Sequence, residues 1–227
     1  MNYLNIFDKA TFWIKYIHSL NAKYYKDNFL EIGAGIGSFT DGYKSKIKNI
    51  FLTEIGEKNL KILENKYRNN SNIYVYHHNL LSNDKKFNTI AHYNVLEHIE
   101  KDKEEIENCL KKINPNGFLI ILVPAHNKLY SKLDKEVGHY RRYDKSFFKN
   151  LKLKDASIIS LKYVDCLGYI LYYLNKLVFK NETFPTHFKI FIWDKLFTPA
   201  TILIDFLTRY KFGKNVLCVI KKNNTKH

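Results

Sequence analysis

The sequence predicts an α/β fold: a mostly parallel sheet of seven strands with helices on both faces. Three observations carry this. Short apolar segments alternate with segments whose apolar residues recur at helical spacing, the βαβα order of a parallel sheet with right-handed crossovers. The first strand segment runs straight into a glycine-rich turn, Gly33-Ala34-Gly35-Ile36-Gly37. Residues 118–123 are apolar without a break, as in a strand covered on both faces.

The elements follow in order. An amphipathic helix is expected over residues 7–25, where Ala10, Trp13, Ile14, Ile17 and Leu20 share a face. A strand at 28–32 ends in the glycine turn, and a helix is expected over 38–46. Next come a strand at 49–54, a helix at 57–67 with Leu60, Leu63 and Tyr67 on one side, and a β-branched and aromatic strand at 73–77. A strand at 87–93 precedes a charged helix at 101–113, striped by Ile106, Cys109, Leu110 and Ile113. Asn114-Pro115-Asn116-Gly117 is a turn before the 118–123 strand. Residues 125–143 are polar and mixed and read as a long loop, a kind of segment that often carries function. A strand at 157–164, helical segments at 166–180 and 187–210 interrupted by Pro185 and Pro199, and a strand at 215–221 complete the chain. One domain is expected, divided at 28–124, 125–143 and 165–210.

With 227 residues, 45% hydrophobic and 15% aromatic, the chain can bury a large core, which excludes wholesale disorder. It carries 37 Lys+Arg against 22 Asp+Glu, a net charge of +15. A surplus of that size raises nucleic acid, an anionic membrane or an anionic substrate as partners. Only Arg68, Arg141, Arg142 and Arg209 are arginines, however, and the lysines accompany abundant Asn, Ile, Tyr and Phe, residues that share AT-rich codons. Most of the surplus therefore reads as solvated surface. Cys109, Cys166 and Cys218 are widely spaced and suggest no disulfide framework, which fits a reduced, cytoplasmic compartment. The N-terminal residues lack the pattern of a signal peptide, and no run approaches the roughly 20 apolar residues of a membrane span.

Glycines after a strand let the backbone turn tightly and approach a ligand, and a following helix would offer free N–H groups to anionic atoms. The ligand is expected at the carboxyl ends of the strands, near the point where strand order reverses. The third glycine comes one residue too early for the dinucleotide fingerprint. Glu31 followed by Gly33, Gly35 and Gly37 instead resembles motif I of class I S-adenosylmethionine-dependent methyltransferases. Glu54, at the end of the next strand, stands where that family has an acidic residue on the ribose hydroxyls, and a carboxylate can accept both. Asn79, followed by Leu80, stands near the family's adenine-binding Asp, and Asn94-Val95-Leu96-Glu97-His98-Ile99 resembles the segment that borders the methionine part. The resemblance covers residues 28–124. It implies a Rossmann-like fold with an N-terminal helix and a helical C-terminal elaboration. It also implies S-adenosyl-L-methionine as cofactor, S-adenosyl-L-homocysteine as product, and Glu31, Gly33, Gly35, Gly37, Glu54, Asn79, Leu80, Asn94 and Val95 as cofactor-binding residues.

Residues 123–143 form the expected acceptor loop and resemble a block of a methyltransferase subgroup associated with bacterial surface-polysaccharide genes. Two of the four arginines are adjacent there, so Tyr140, Arg141, Arg142 and Tyr143 are candidates for binding an anionic acceptor, with pairing to Asp134 or Glu136 as the structural alternative. A hydroxyl acceptor needs a proton acceptor; His139 is the first candidate and His126 the second, while His98 is expected to pack or cap. No metal is expected, because adjacent His77 and His78 would point to opposite sides of a strand and no ligand motif stands out.

The leading reading is O-methylation of a phosphorylated or nucleotide-linked precursor of a surface, capsular polysaccharide, a small anionic substrate. Rival readings are a nucleic-acid methyltransferase, an enzyme meeting a lipid-linked acceptor at a membrane through the aromatic 166–207 segment, and a cofactor-binding module without catalysis. Against nucleic acid, Asn94-Val95-Leu96-Glu97 lacks the two prolines of amino-methylating DNA enzymes, and the chain has no Pro-Cys pair.

Overall fold

The computed structural model describes residues 7–77, 84–178 and 186–224. Seven strands, β1 (Phe29–Ile32), β2 (Ile50–Thr53), β3 (Ile73–Tyr76), β4 (Phe87–Tyr93), β5 (Ile113–Pro124), β6 (Ala156–Val164) and β7 (Asn215–Lys222), form one sheet in the order β3-β2-β1-β4-β5-β7-β6. β1 to β5 pair in parallel, and β7 inserts antiparallel between β5 and β6. The order reverses at β1, whose other neighbour is β4, so the chain leaves the carboxyl ends of β1 and β4 in opposite directions. A crevice between such ends is where open α/β sheets bind ligands.

The alternation within β5 shows why two cores form. Phe118, Ile120 and Leu122 join one buried cluster, with Trp13, Tyr16, Ile17, Leu63 and Tyr67; Leu119, Ile121 and Val123 join the other, with Ile106, Cys109, Leu110 and Phe148. Both sheet faces are therefore apolar, as the unbroken 118–123 run implies.

The helices are α1 (Thr11–Asn21), α2 (Glu57–Tyr67), α3 (Asp102–Lys112), α4 (Lys132–Glu136), α5 (Lys145–Lys149), α6 (Cys166–Val178), α7 (His187–Ile192) and α8 (Thr198–Leu207). Three differences from the sequence expectation matter. Residues 38–46 hold only a 3-10 turn at Thr40–Gly42, not a helix. Thr40 and Tyr43 direct their hydroxyls to Glu31, and the His18 ring packs so closely on Gly42 that no side chain fits there. The 125–143 segment folds locally: Ser131 and Asp134 form a capping box that starts α4. The expected 187–210 helix is divided into α7, a π-helical turn (Trp193–Phe197) and α8, with Pro199 in the first turn of α8.

α1 begins at a site whose N-cap residue, Ala10, has no side chain able to cap it. Asp194, from the π turn, supplies the cap in its place. Its buried carboxylate accepts the Trp13 amide at 2.8 Å and the Phe12 amide at 3.2 Å, and the Trp13 and Trp193 rings meet at 5.5 Å. Asp205 of α8 accepts the Tyr16 hydroxyl at 2.8 Å. These contacts fasten the C-terminal helices to α1, whose Trp13, Tyr16 and Ile17 join Phe29, Phe118 and Ile120 in the core on one face of the sheet.

Asp194→Ala leaves two helix-start amides without their acceptor. We expect it to lower the unfolding free energy in urea by roughly 1–3 kcal/mol, with Asp194→Asn losing less because its amide oxygen still accepts. An unchanged midpoint in the alanine variant would remove this tether from the account.

Candidate active site

The loop after β1 is built from a backbone that only glycine tolerates. Gly33 has φ +66°, and a Cβ there would lie 2.7 Å from a Val95 methyl carbon. Gly37 has φ +79°, and a Cβ would lie 2.5 Å from the Tyr67 hydroxyl. Glu54, just after β2, braces the loop. Its Oε2 accepts the Gly35 amide and its Oε1 the Gly56 amide, both at 2.8 Å. Each oxygen keeps a second acceptor position. Asn94 follows β4 with φ +55°; it is exposed, and Val95 beside it touches the Gly33 position. Gly33, Gly35, Gly37, Glu54, Asn94 and Val95 are thus brought to one end of the sheet. Asn79 and Leu80 lie outside the described residues.

Glu31 differs from the expectation. It is buried beneath the loop, accepting Thr40 Oγ1 at 2.6 Å and the Tyr43 hydroxyl, so it holds the loop from below and does not line the crevice. Burial raises its pKa to about 7, against the lowering effect of those two hydrogen bonds.

The 125–143 loop folds around one carboxylate. Asp134 accepts Arg142 Nε on both oxygens at 3.0 Å, Arg142 Nη2 at 2.9 Å, and His139 Nδ1–H at 2.8 Å. Burial pushes its pKa up, but the hydrogen bonds from His139 and Arg142 and the guanidinium charge prevail and hold it at about 2. Because Nδ1 donates to Asp134, the His139 ring presents its Nε2 lone pair toward Glu97, whose Oε1 is 3.9 Å away. The loop is pinned there by the Tyr140 amide, which donates to the Glu97 carbonyl at 2.8 Å.

Four candidates have other duties. Arg142 is buried on Asp134 and also donates to the Tyr172 hydroxyl; only its Nη1 lacks a partner among the described residues. Arg141 donates to Asp102 at 2.9 Å and to the Glu100 carbonyl at 3.0 Å. Folding brings these internal acceptors within reach, so the guanidiniums are not presented together to an external anion. Tyr143 is buried and its hydroxyl donates to the Leu96 carbonyl or Asp102, leaving no surface for an acceptor. His126 donates Nε2–H to the Gly213 carbonyl at 3.0 Å, has Asp144 3.4 Å from Nδ1, and stacks on Tyr163, which makes it a loop fastener. Tyr140 remains exposed.

Two residues gain weight that the sequence reading did not assign them. Glu97 is 1% exposed, and burial raises its pKa to about 8. Its Oε2 has no hydrogen-bond partner among the described residues. The His98 ring stands edge-on to His139 at 4.6 Å, and burial, with His139 beside it, lowers its pKa to about 4. Ligating atoms of Glu97, His98 and His139 all lie within 4.8 Å of one another. The sequence expectation of no metal-ligand set came from looking for local spacing, whereas this group joins two distant segments.

A family model described as "Methyltransferase domain" matches residues 8–155. No curated protein matches in sequence. Among solved structures, an S-adenosylmethionine-dependent methyltransferase from Clostridium acetobutylicum is similar with TM-score 0.61 and 15% identity, over 97% of this chain and 98% of that one. The N-methyltransferase NodS from Bradyrhizobium japonicum, in complex with S-adenosyl-L-homocysteine, is similar with TM-score 0.57 and 13% identity, over 92% and 84%. The plantazolicin methyltransferase BpumL, also with that product, has TM-score 0.56 and 14% identity, over 99% and 86%. At these identities the structures share the fold.

Glu31 generates a pH prediction. Its folded pKa of about 7 lies above the ordinary 4.5, so the native carboxyl keeps a proton that the unfolded chain has already released. Stability fully present below pH 4.5 is then lost as pH rises through 7. Glu31→Gln keeps an acceptor for Thr40 and Tyr43 but does not titrate. Between pH 4.5 and 8 the wild type should lose roughly 2–3 kcal/mol more than the variant. Parallel unfolding profiles for the two proteins would contradict this.

Proposed function

The chain belongs to the methyltransferase-domain family, and from that membership we propose that it is an S-adenosylmethionine-dependent O-methyltransferase acting on a phosphorylated or nucleotide-linked precursor of a surface, capsular polysaccharide. The observation that carries the reading is the pairing of two built features at one sheet end: the Glu54-braced glycine loop, and the Asp134–His139 pair docked on the segment after β4. The residues fit the cofactor. At Gly33 and Gly37 the absent side chains make room for Val95 and Tyr67, which lets the loop close tightly over the strand end, and Glu54 has acceptor positions for two ribose hydroxyls. Asn94 and Val95 border the same crevice and would flank the methionine part. The cofactor, when bound, supplies a sulfonium methyl group open to in-line displacement.

The chain's own contribution is placement and proton handling. Asp134 fixes the His139 tautomer, and Nε2 is then free to take the proton of an acceptor hydroxyl as its oxygen is methylated. The acceptor's identity is supported by the resemblance of residues 123–143 to a polysaccharide-linked subgroup. A cytoplasmic location is part of the same reading, because nucleotide-linked sugars are cytoplasmic metabolites.

Turnover screening with nucleotide sugars and phosphorylated glycan precursors, followed by S-adenosylhomocysteine release, tests this. With the accepted substrate, His139→Gln should lower kcat by roughly 10²–10⁴-fold and leave cofactor binding intact. Turnover on nucleic acid and on none of the glycan precursors would defeat the proposal.

A second reading, a lipid-linked acceptor met at a membrane, is favoured by one observation. Phe188, Phe191, Leu196, Leu203, Phe206 and Leu207, on α7, the π turn and α8, are between 59% and 71% exposed. A hollow at the end of α8 adds Arg209 and Lys211 beside Leu207 and Phe212. Exposed apolar helix faces bordered by basic groups suit the interface of an anionic bilayer. Among the described residues no helix is long and apolar enough to cross one. We expect co-flotation with anionic vesicles, weakened by Phe188→Ser with Phe206→Ser. Absence of flotation would discard this version of the acceptor.

A further inference from the structure

We propose that Glu97, His98 and His139 form a binding site for one divalent first-row transition-metal ion, with open coordination positions facing the acceptor. The inference rests on the methyltransferase reading for its role, but not for its chemistry. Two imidazoles and one carboxylate with ligand atoms inside 4.8 Å are the facial donor set that holds such ions and leaves positions free. Ligands on an ion at roughly 2.0–2.2 Å stand about 3 Å apart, so rotations of two rings close the gap.

Three features of the group point to a ligand. Glu97 Oε2 is buried and has no partner among the described residues, a costly condition for a carboxylate that a cation would relieve. His139 donates Nδ1–H to Asp134 at 2.8 Å, the carboxylate–histidine arrangement that orients an imidazole toward a metal through its other nitrogen. The His98 ring, which shares a hydrogen bond with the Gly138 backbone, stands edge-on to His139 with a ligand nitrogen inside the same 4.8 Å group, and both rings are partly open. A second grouping, His92, Glu105 and Cys109, differs on this point. His92 Nε2 lies 3.3 Å from Cys109 Sγ, which lies 3.8 Å from Glu105, and His92 and Cys109 are buried in the core with no open side.

The site would explain how the enzyme recognises an anionic acceptor although Arg141 and Arg142 are engaged by its own carboxylates. Phosphate or hydroxyl oxygens of the acceptor would complete the ion's coordination. In the ion-loaded enzyme His139 is a ligand. The acceptor hydroxyl then loses its proton to solvent because the ion lowers its pKa, the O–CH3 bond forms as the sulfonium S–CH3 bond breaks, and the sulfur leaves as a neutral thioether.

The full chain, stripped with chelator and titrated with Co2+, should bind one equivalent with visible absorption from nitrogen and oxygen ligation. Glu97→Gln and His98→Asn should each weaken binding at least about 10-fold, and Asp134→Asn, acting through His139, about 10–100-fold. Co2+ or Mn2+ should raise the Tm of the wild type and not that of Glu97→Gln, whose far-UV circular dichroism reports whether it has folded. Absence of binding at millimolar Co2+, binding unchanged in both folded ligand variants, or binding lost only in His92→Ala would each overturn the site. One equivalent bound without turnover on any glycan precursor would uphold the metal site and count against the substrate reading. Turnover insensitive to chelator would overturn the catalytic role of the ion and leave His139 as the proton acceptor.

Discussion

Parallel pairing of β1 with β4, at the place where the strand order turns back, organises the rest of the molecule. Ile32 lies opposite His92, so the chain segments leaving these strands must share one gap. The consequence is visible in Gly33, where any side chain would strike Val95. Glu54 attaches to that gap through the Gly35 amide, and the 125–143 loop attaches through Tyr140 on the Glu97 carbonyl and Tyr143 on the Leu96 carbonyl. The glycine loop and the 125–143 loop therefore depend on a single strand neighbourhood.

Buried carboxylates do the long-range fastening. Asp134 gathers Arg142 and His139; Asp102 gathers Arg141 and Tyr143; Asp194 caps α1; and Asp205 accepts the Tyr16 hydroxyl and the amides of Asp165 and Cys166. A buried carboxylate without donors is expensive, and each of these has at least two. The arrangement also accounts for arginine at 141 and 142 in a chain that otherwise uses lysine. Burial against Asp134 favours the planar fork of arginine, which meets both oxygens through Nε and Nη2 and reaches Tyr172 at the same time. The Arg141-Arg142 pair, expected to meet an external anion, is instead held by carboxylates of the protein itself.

Legibility followed the range of each interaction. The strands were readable because alternation and β-branching are properties of neighbouring residues, and the glycine turn because positive φ limits the residue choice. The expected helix at 38–46 failed for a non-local reason: His18 from α1 occupies the space at Gly42, and Glu31 draws the Thr40 and Tyr43 hydroxyls beneath the loop. His126 looked like a free loop histidine until Gly213 and Tyr163, far along the chain, arrived beside it.

By itself the sequence determined the α/β class, the strand order in the chain, the glycine loop with Glu54 one strand later, and the family resemblance of residues 28–124. Periodicity, turn chemistry and motif spacing are written along the chain, and they need no knowledge of what lands nearby. Only the tertiary structure decided that Arg142 faces Asp134, that His139 turns Nε2 to Glu97 with the His98 ring edge-on beside it, and that Glu31 supports the loop from below. Those outcomes depend on where two loops meet at the end of the sheet, and that meeting place is set by the β1–β4 junction, not by any local run of residues.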